Sequence, residues 1–234
     1  MTIQNQLFTD LAKFDLGTHV QEYGPPHYPT ERNPVGHLNE RFWAALVATH
    51  NEVLFENREN DFYRYLPSIG IYEPFTQHLL LEQIANDIWT ASQNWGPYFP
   101  LQVLCNARHL NGVLAHIKGF VQKEGAFDQQ RNYIHVKNGV IDLSSGSPQL
   151  IPFDPALVSR NSILVCYDRQ AKCPRFQAEL LAPLPVEDQL LLQKLFGMYV
   201  SGTNFLQKIV ILQGAAESGK SPASHRCPRF DRRA

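Results

Sequence analysis

Apolar residues recur at helical spacing along several stretches of the chain, and each stretch predicts an amphipathic helix. The pattern of Leu38, Phe42, Ala45 and Leu46 predicts one helix, with Asn39 as its N-cap. Further helices are predicted at residues 6–14, 76–95, 101–122, 176–181 and 187–200.

The two central helices have the clearest buried faces. Thr76 can cap the first, whose inward residues are predicted to be Leu80, Ile84, Ile88 and Ala91. The second is predicted as one helix over residues 101–122, with these inward residues: Leu104, Leu110, Leu114, Ile117 and Val121.

Branched and aromatic runs between the helices predict short strands. A β region begins at residues 53–55, and residues 62–66 and 69–75 are predicted to form a hairpin. A second hairpin is predicted over residues 133–143, turning at Asn138-Gly139, where both turn positions favour positive φ. A further strand is predicted at residues 163–167. These patterns predict an α+β fold, a mixed helical domain with short β-hairpins.

A phosphate-binding motif is predicted near the end of the chain. Residues 208–213 (KIVILQ) predict a buried strand, which is followed directly by the loop Gly214, Ala215, Ala216, Glu217, Ser218, Gly219, Lys220 and Ser221. The loop fits G-x-x-x-x-G-K-[ST], in which backbone N–H groups surround nucleotide phosphates. Lys220 would reach the β- and γ-phosphates of ATP, and the Ser221 hydroxyl would hold Mg²⁺.

The residues after this loop depart from the usual pattern. Pro222 removes an N–H donor that a phosphate would use, and Pro228 interrupts the helical spacing that follows. No later strand supplies a second acidic residue for the metal or a residue that orients water. We therefore do not expect this chain alone to hydrolyse ATP.

The composition excludes few function classes. The chain has 234 residues and a formal net charge of −1, so a nucleic-acid-binding surface would have to be local. No apolar stretch is long enough for a transmembrane helix, and the first residues do not form a secretory signal. The four cysteines form no C-x-x-C pair, which argues against a zinc site and is typical of a reducing cytoplasm.

Several short motifs occur in an order that resembles the phage and plasmid primase-helicase family, relatives of the poxvirus primase-helicase. The motifs are FYRY at 62–65, HVKNGVIDL at 135–143, FDP at 153–155, Tyr167-Asp168, KCPRF at 172–176, LFGMYVSG at 195–202, QKI at 207–209 and the phosphate loop. They cover the chain from about Val53 to Ser221.

This resemblance implies an α+β domain placed before a superfamily 3 helicase of the AAA+ type. It implies ATP with Mg²⁺ as cofactor, DNA as partner, and a hexameric ring that unwinds DNA during replication. The chain would then divide into an N-terminal helix and proline-rich linker (1–50), the primase-helicase N-terminal-type domain (51–203) and the start of a P-loop α/β domain (204–234).

The chain also departs from the family pattern. It contains no Asp-x-Asp, and only about fifty residues precede the domain, so priming is not expected. The ATPase is expected to be truncated just after the phosphate loop. Two alternatives remain: a non-catalytic interaction module or inert remnant of a mobile element, and an unrelated P-loop ATPase or kinase.

For several polar and aromatic residues, a purely structural role is an alternative to a functional one. His135 and Lys137 could touch nucleic acid or simply occupy exposed strand positions, and Asp142 and Asp168 are interpreted as turn caps. His109 and His116 lack a third ligand for a metal. Core or sheet packing is favoured over base stacking for the remaining aromatic candidates: Tyr63, Tyr65, Tyr72, Trp89 and Trp95.

Overall fold

The computed structural model describes residues 16–33, 36–50, 52–94, 99–128 and 132–201. The predicted helix at 6–14 and the predicted strand and phosphate loop at 208–221 lie outside the described residues. Within the described residues the fold is α+β, as the sequence predicts.

Helices and short strands alternate through the first half of the chain. In order they are α1 (Leu16–Tyr23), β1 (His27–Tyr28), β2 (His37–Leu38), α2 (Glu40–His50), β3 (Val53–Glu56), β4 (Asp61–Leu66), β5 (Ile71–Pro74), α3 (Gln77–Asn94), α4 (Phe99–Leu104), α5 (Ala107–Val121) and β6 (Gln122–Lys123). The second half contains β7 (Tyr133–Val136), β8 (Gly139–Asp142), β9 (Gln149–Ile151), α6 (Pro174–Phe176), a π-helical turn (Gln177–Leu181) and α7 (Val186–Val200).

The chain forms two compact units. Taking only the described residues, the first unit falls within residues 1–65 and 73–126, and the second falls within residues 66–72, at the tip of the β4–β5 hairpin, and 127–234. The predicted three-part division at residues 50 and 203 stays a prediction.

The first unit packs helices α2, α3, α4 and α5 with the sheet β5-β4-β3-β6, in which β3 runs parallel to β6. Its core holds the inward residues predicted for α3. Trp43 in α2 is fully buried, and its Nε1 donates to the carbonyl of Pro26 at 3.1 Å. Asn39 caps α2 as predicted, because its Oδ1 accepts the Phe42 amide at 3.2 Å.

The predicted helix over 101–122 is wrong in one respect, because the chain breaks between α4 and α5. Asn106 adopts extended backbone and its Oδ1 accepts the amides of Arg108 and His109, so it caps a new helix. An asparagine satisfies free N–H groups at a helix start better than it continues a helix. Leu110 and Val121 are only partly buried, and the fully buried Val113 replaces them on the inner face.

The second unit is built on the antiparallel sheet β7-β8-β9. A small apolar cluster of Ile134, Val136 and Ile141 covers one face, and Tyr167 and Val200 pack against it. Gly139 has φ of +151°, and a Cβ there would lie 2.6 Å from the carbonyl oxygen of Ile151. Glycine is therefore required for β8 to approach β9.

Two strand-level predictions in this unit need correction. The β7–β8 hairpin turns at Lys137-Asn138 and not at Asn138-Gly139, and Asn138 does not have positive φ. The predicted strand at 163–167 forms only a single bridge, between Val136 and Ile163. Leu164 and Val165 are about two-thirds exposed, so their apolar run belongs to a surface loop.

Candidate nucleic-acid interface

A loop spanning residues 163–175, the basic loop, is attached to the β7–β8 hairpin by backbone contacts. The Ile163 amide donates to the His135 carbonyl at 2.9 Å, and the Lys137 amide donates to the Val165 carbonyl at 3.1 Å. Asn138 then holds Tyr167 through two hydrogen bonds, of 3.0 and 2.8 Å. The loop is therefore fixed along its first half although it is not a strand.

An open groove of about 480 Å³ lies between this loop and the edge strand β9. Its lining residues are Pro148, Gln149, Leu150, Tyr167, Asp168 and Arg169. Tyr167 is half-buried because it also packs against the apolar cluster, whereas Leu150 is 42% exposed. The groove thus combines an anchored aromatic ring, an accessible apolar side chain and two charged groups.

Positive charge is concentrated on the basic loop and on the β7–β8 turn to which the loop is bonded. Lys137, Arg169 and Lys172 are exposed, and within the described residues they form no ion pair. Arg175 differs, because its Nε lies 2.9 Å from Glu179 Oε1 one helical turn away. The basic loop itself carries three basic residues and one acidic residue, Asp168. This gives a locally positive surface on a chain whose net charge is −1.

Asp142 and Asp168 act as turn caps, as predicted from the sequence. Asp168 Oδ1 accepts the Gln170 amide at 2.8 Å, and Asp142 Oδ1 accepts the Ser144 amide at 2.8 Å. Hydrogen bonds from the Ser144 hydroxyl and amide lower the pKa of Asp142. Neither residue has the surroundings of a catalytic acid.

His135 is not at the interface, and both sequence interpretations of it are wrong. It is 2% exposed and pairs with Val140 across the β7–β8 ladder. Burial lowers its pKa to about 4, and a hydrogen bond to the Leu157 backbone opposes that shift. A neutral, buried imidazole cannot attract phosphate, so only its neighbour Lys137 remains a candidate for nucleic-acid contact.

The polar groups of the first unit serve its structure. Glu56 is buried, and its carboxylate accepts the amides of Glu59 and Gly125, each at 2.7 Å, which lowers its pKa. His109 Nδ1 lies 3.2 Å from Glu40 Oε1. No group of three or more metal-ligating side chains occurs among the described residues, and the interpretation of His109 and His116 stays a prediction.

The aromatic candidates of the first half divide into two groups. Tyr63, Tyr65 and Tyr72 are buried, as the sheet interpretation predicts. Trp89 was predicted to pack in the core but is 53% exposed, because it lies off the face formed by Leu80, Ile84 and Ile88. Trp95 lies outside the described residues.

The eight residues of the predicted phosphate loop, from Gly214 to Ser221, also lie outside the described residues. Their contacts with ATP and Mg²⁺ stay predictions. Sequence reasoning missed Asn138 as an anchor and Leu150 and Arg169 as groove residues. The signal available for the last was the clustering of Arg169, Lys172 and Arg175 within one short segment.

Comparison with known proteins supports one part of the family resemblance. A family model described as "D5 N terminal like" matches residues 104–181, less than half of the chain. The match includes α5, the sheet β7-β8-β9, the groove and the basic loop. It supports an N-terminal domain of the phage and plasmid primase-helicase type in this segment. A comparison with curated proteins finds no match.

No helix in the described ranges combines the length and the apolar character needed to cross a bilayer.

Proposed function

We propose that this chain is part of a phage/plasmid-type primase-helicase acting in DNA replication, and that its second unit contacts DNA through Lys137, Arg169 and Lys172. The observation that carries the proposal is that three exposed, unpaired basic side chains lie on two segments joined by backbone hydrogen bonds, the β7–β8 turn and the basic loop, and that one of them, Arg169, lines the groove.

The electrostatic argument is local. Lys and Arg side chains that neutralise phosphates release condensed counterions, and this supplies most of the sequence-independent affinity for DNA. A pair such as Arg175–Glu179 is already neutralised, whereas the three unpaired groups are available to phosphates. Because the rest of the chain has no excess of positive charge, we expect these residues to dominate DNA binding.

The test is fluorescence anisotropy with labelled DNA at low salt. Changing Lys137, Arg169 and Lys172 to Gln should weaken binding roughly 10- to 100-fold. The charge-matched control changes Arg32, Lys123 and Lys194 to Gln, all exposed and distant in sequence from the groove. Equal affinities for the two triple variants would contradict the proposal.

We further propose that residues 214–221 bind ATP with Mg²⁺, with Lys220 on the phosphates and Ser221 on the metal. Support comes from the sequence pattern of strand and loop together with the family of the matched segment. Titration with a fluorescent ATP analogue should show binding that Lys220→Ala abolishes and Lys194→Ala leaves unchanged. If wild type binds no more tightly than Lys220→Ala, the nucleotide site is refuted and a non-catalytic DNA-contacting module is favoured.

In the intact family, ATP binding and hydrolysis drive unwinding by a hexameric ring. An unrelated P-loop ATPase or kinase would share the loop but would not account for the match at residues 104–181.

A further inference from the structure

We propose that the groove beside β9 holds one unstacked base of single-stranded DNA, stacked on Tyr167, and that Asp168 favours a base carrying an exocyclic amino group. This inference rests on the proposed DNA contact. It specifies that the site binds single-stranded DNA and which bases it prefers.

The groove is open to solvent and has room for one base. Its volume is about 480 Å³. Two of its walls are apolar or aromatic, Leu150 and Tyr167, and a third residue, Arg169, is a cation. A nucleotide has the matching parts, because its base is flat and largely apolar on its faces while its phosphate is an anion.

Tyr167 is held in place before any ligand arrives. Its side chain packs against the Ile134–Ile141 cluster, and its amide and carbonyl are both bonded to Asn138. A fixed ring loses little conformational freedom on binding, which favours its use as a stacking platform. Stacking of a base on an aromatic side chain is tolerant of sequence because every base has a π-face.

A single strand fits this arrangement better than a duplex. In a duplex the faces of each base are covered by its neighbours, so a base must leave the stack to reach a protein ring. Arg169 at the groove and the exposed Lys137 and Lys172 can contact the DNA backbone, while the Tyr167 ring can stack on the base. Duplex DNA could use only the cations.

Asp168 adds a preference for one kind of base. Its Oδ1 accepts the Gln170 amide, which leaves the carboxylate with further capacity to accept hydrogen bonds at the groove wall. Aspartate accepts from the amino group of cytosine, whereas thymine offers no exocyclic amino group. A carboxylate on an otherwise basic loop repels phosphate, so its position at the groove favours contact with a base.

The experiment compares Tyr167→Ala, Tyr167→Phe and Tyr199→Ala on four labelled DNAs. These are oligo-dC, oligo-dT, an abasic oligomer of the same length and a duplex. Tyr199, which is 40% exposed on α7 of the same unit, is the matched control. We expect wild type to bind oligo-dC most tightly, and Tyr167→Ala to lose roughly 5- to 100-fold on oligo-dC and little on the abasic oligomer or the duplex. Tyr167→Phe and Tyr199→Ala should bind like wild type.

A second variant tests the base preference. Asp168→Asn keeps an oxygen for the Gln170 amide and removes the charge, so it should reduce the several-fold preference for oligo-dC over oligo-dT. If wild type shows no such preference, the role of Asp168 is overturned.

Two results would refute the stacking role of Tyr167. If Tyr167→Ala weakens binding to the abasic oligomer as much as binding to oligo-dC, or if Tyr167→Phe fails as Tyr167→Ala does, the stacking role is overturned. In that case the proposed DNA contact is still tested by the triple Gln variant of Lys137, Arg169 and Lys172. The DNA contact is refuted only if this variant binds DNA as tightly as the charge-matched control variant does.

Discussion

Asn138 and Tyr167, separated by 29 residues, are joined by two hydrogen bonds between the side-chain amide of Asn138 and the backbone of Tyr167. Asn138 Nδ2 donates to the Tyr167 carbonyl at 3.0 Å, and the Tyr167 amide donates to Asn138 Oδ1 at 2.8 Å. The side chain of a hairpin turn thereby takes the place of a β-strand partner for the basic loop. This pairing connects the turn of β7–β8 with the groove residue Tyr167.

Asn138→Ala should therefore loosen the basic loop. Each lost hydrogen bond costs about 0.5–1.5 kcal/mol, and since both are solvent-exposed we expect about 1–2 kcal/mol in total. Urea unfolding measures the loss, and hydrogen exchange of the Tyr167 amide should accelerate. Ser145→Ala, which removes one exposed bond to the Ser147 carbonyl, is the control and should leave that amide protected. An unchanged exchange rate in Asn138→Ala would show that the pairing does not hold the loop.

Asp87 should make the stability of the first unit fall as pH rises. Burial raises its pKa to about 7, although Gln83 donates a hydrogen bond that opposes the shift. The folded chain therefore keeps this proton between about pH 4 and 7 while the unfolded chain releases it, so protonation-linked stability is lost across that window. Asp87→Asn keeps an acceptor for Gln83 and should be more stable than wild type at pH 8, on the order of 2–4 kcal/mol.

The measurement is the difference in unfolding free energy between Asp87→Asn and wild type at pH 4 and pH 8. A difference that does not grow between these two values would refute the buried, protonated carboxyl.

His135 should give the opposite pH dependence. Its pKa of about 4 lies below the usual value of about 6.5, so the folded state disfavours protonation. Stability is complete above about pH 6.5 and is lost as pH falls towards 4, on the order of 3 kcal/mol. His135→Phe should remove this acid sensitivity, as followed by thermal unfolding at pH 4.5 and 7.5. Equal acid sensitivity in wild type and variant would mean that another group is responsible.

Lys118 lies over two aromatic rings, with its Nζ 4.6 Å from the Phe55 centroid and 5.7 Å from the Phe62 centroid. Lys118→Gln should cost about 0.5–2 kcal/mol, because it removes the cation but keeps a long side chain. Lys118→Arg should retain most of the stability. Lys123→Gln changes an exposed lysine nearby in sequence and controls for the loss of charge. The same denaturation midpoint for Lys118→Gln and Lys123→Gln would exclude a cation–π contribution.

The helices and caps that have a strong local sequence pattern were predicted correctly. The face of α3 follows from apolar residues three and four apart, and the cap of α2 from a single asparagine. The break before α5 was missed because Asn106 stands within a continuing apolar periodicity. Residues 163–167 carry a strand-like apolar run, but only Ile163 finds a bridge, to Val136.

The candidate interface was only partly predictable, because it depends on contacts between residues that are distant in the sequence. The short motifs include Tyr167-Asp168 and Lys172, but they do not show that the segments around Asn138 and Tyr167 meet. Their arrangement depends on a side-chain pairing between Asn138 and Tyr167, and no local propensity encodes such a contact. His135 shows the converse, because Ile134, His135 and Val136 are all buried and β7 therefore does not follow the alternation that would expose His135.

The salt dependence of DNA binding tests the central claim most directly. The logarithm of the association constant for a single-stranded oligomer, plotted against the logarithm of salt concentration, has a slope of about −0.7 for each phosphate neutralised. Changing Lys137, Arg169 and Lys172 to Gln should therefore make the slope shallower by about 2. The variant with Arg32, Lys123 and Lys194 changed to Gln should keep the wild-type slope. Identical slopes for all three proteins would contradict a DNA-contacting surface at this loop.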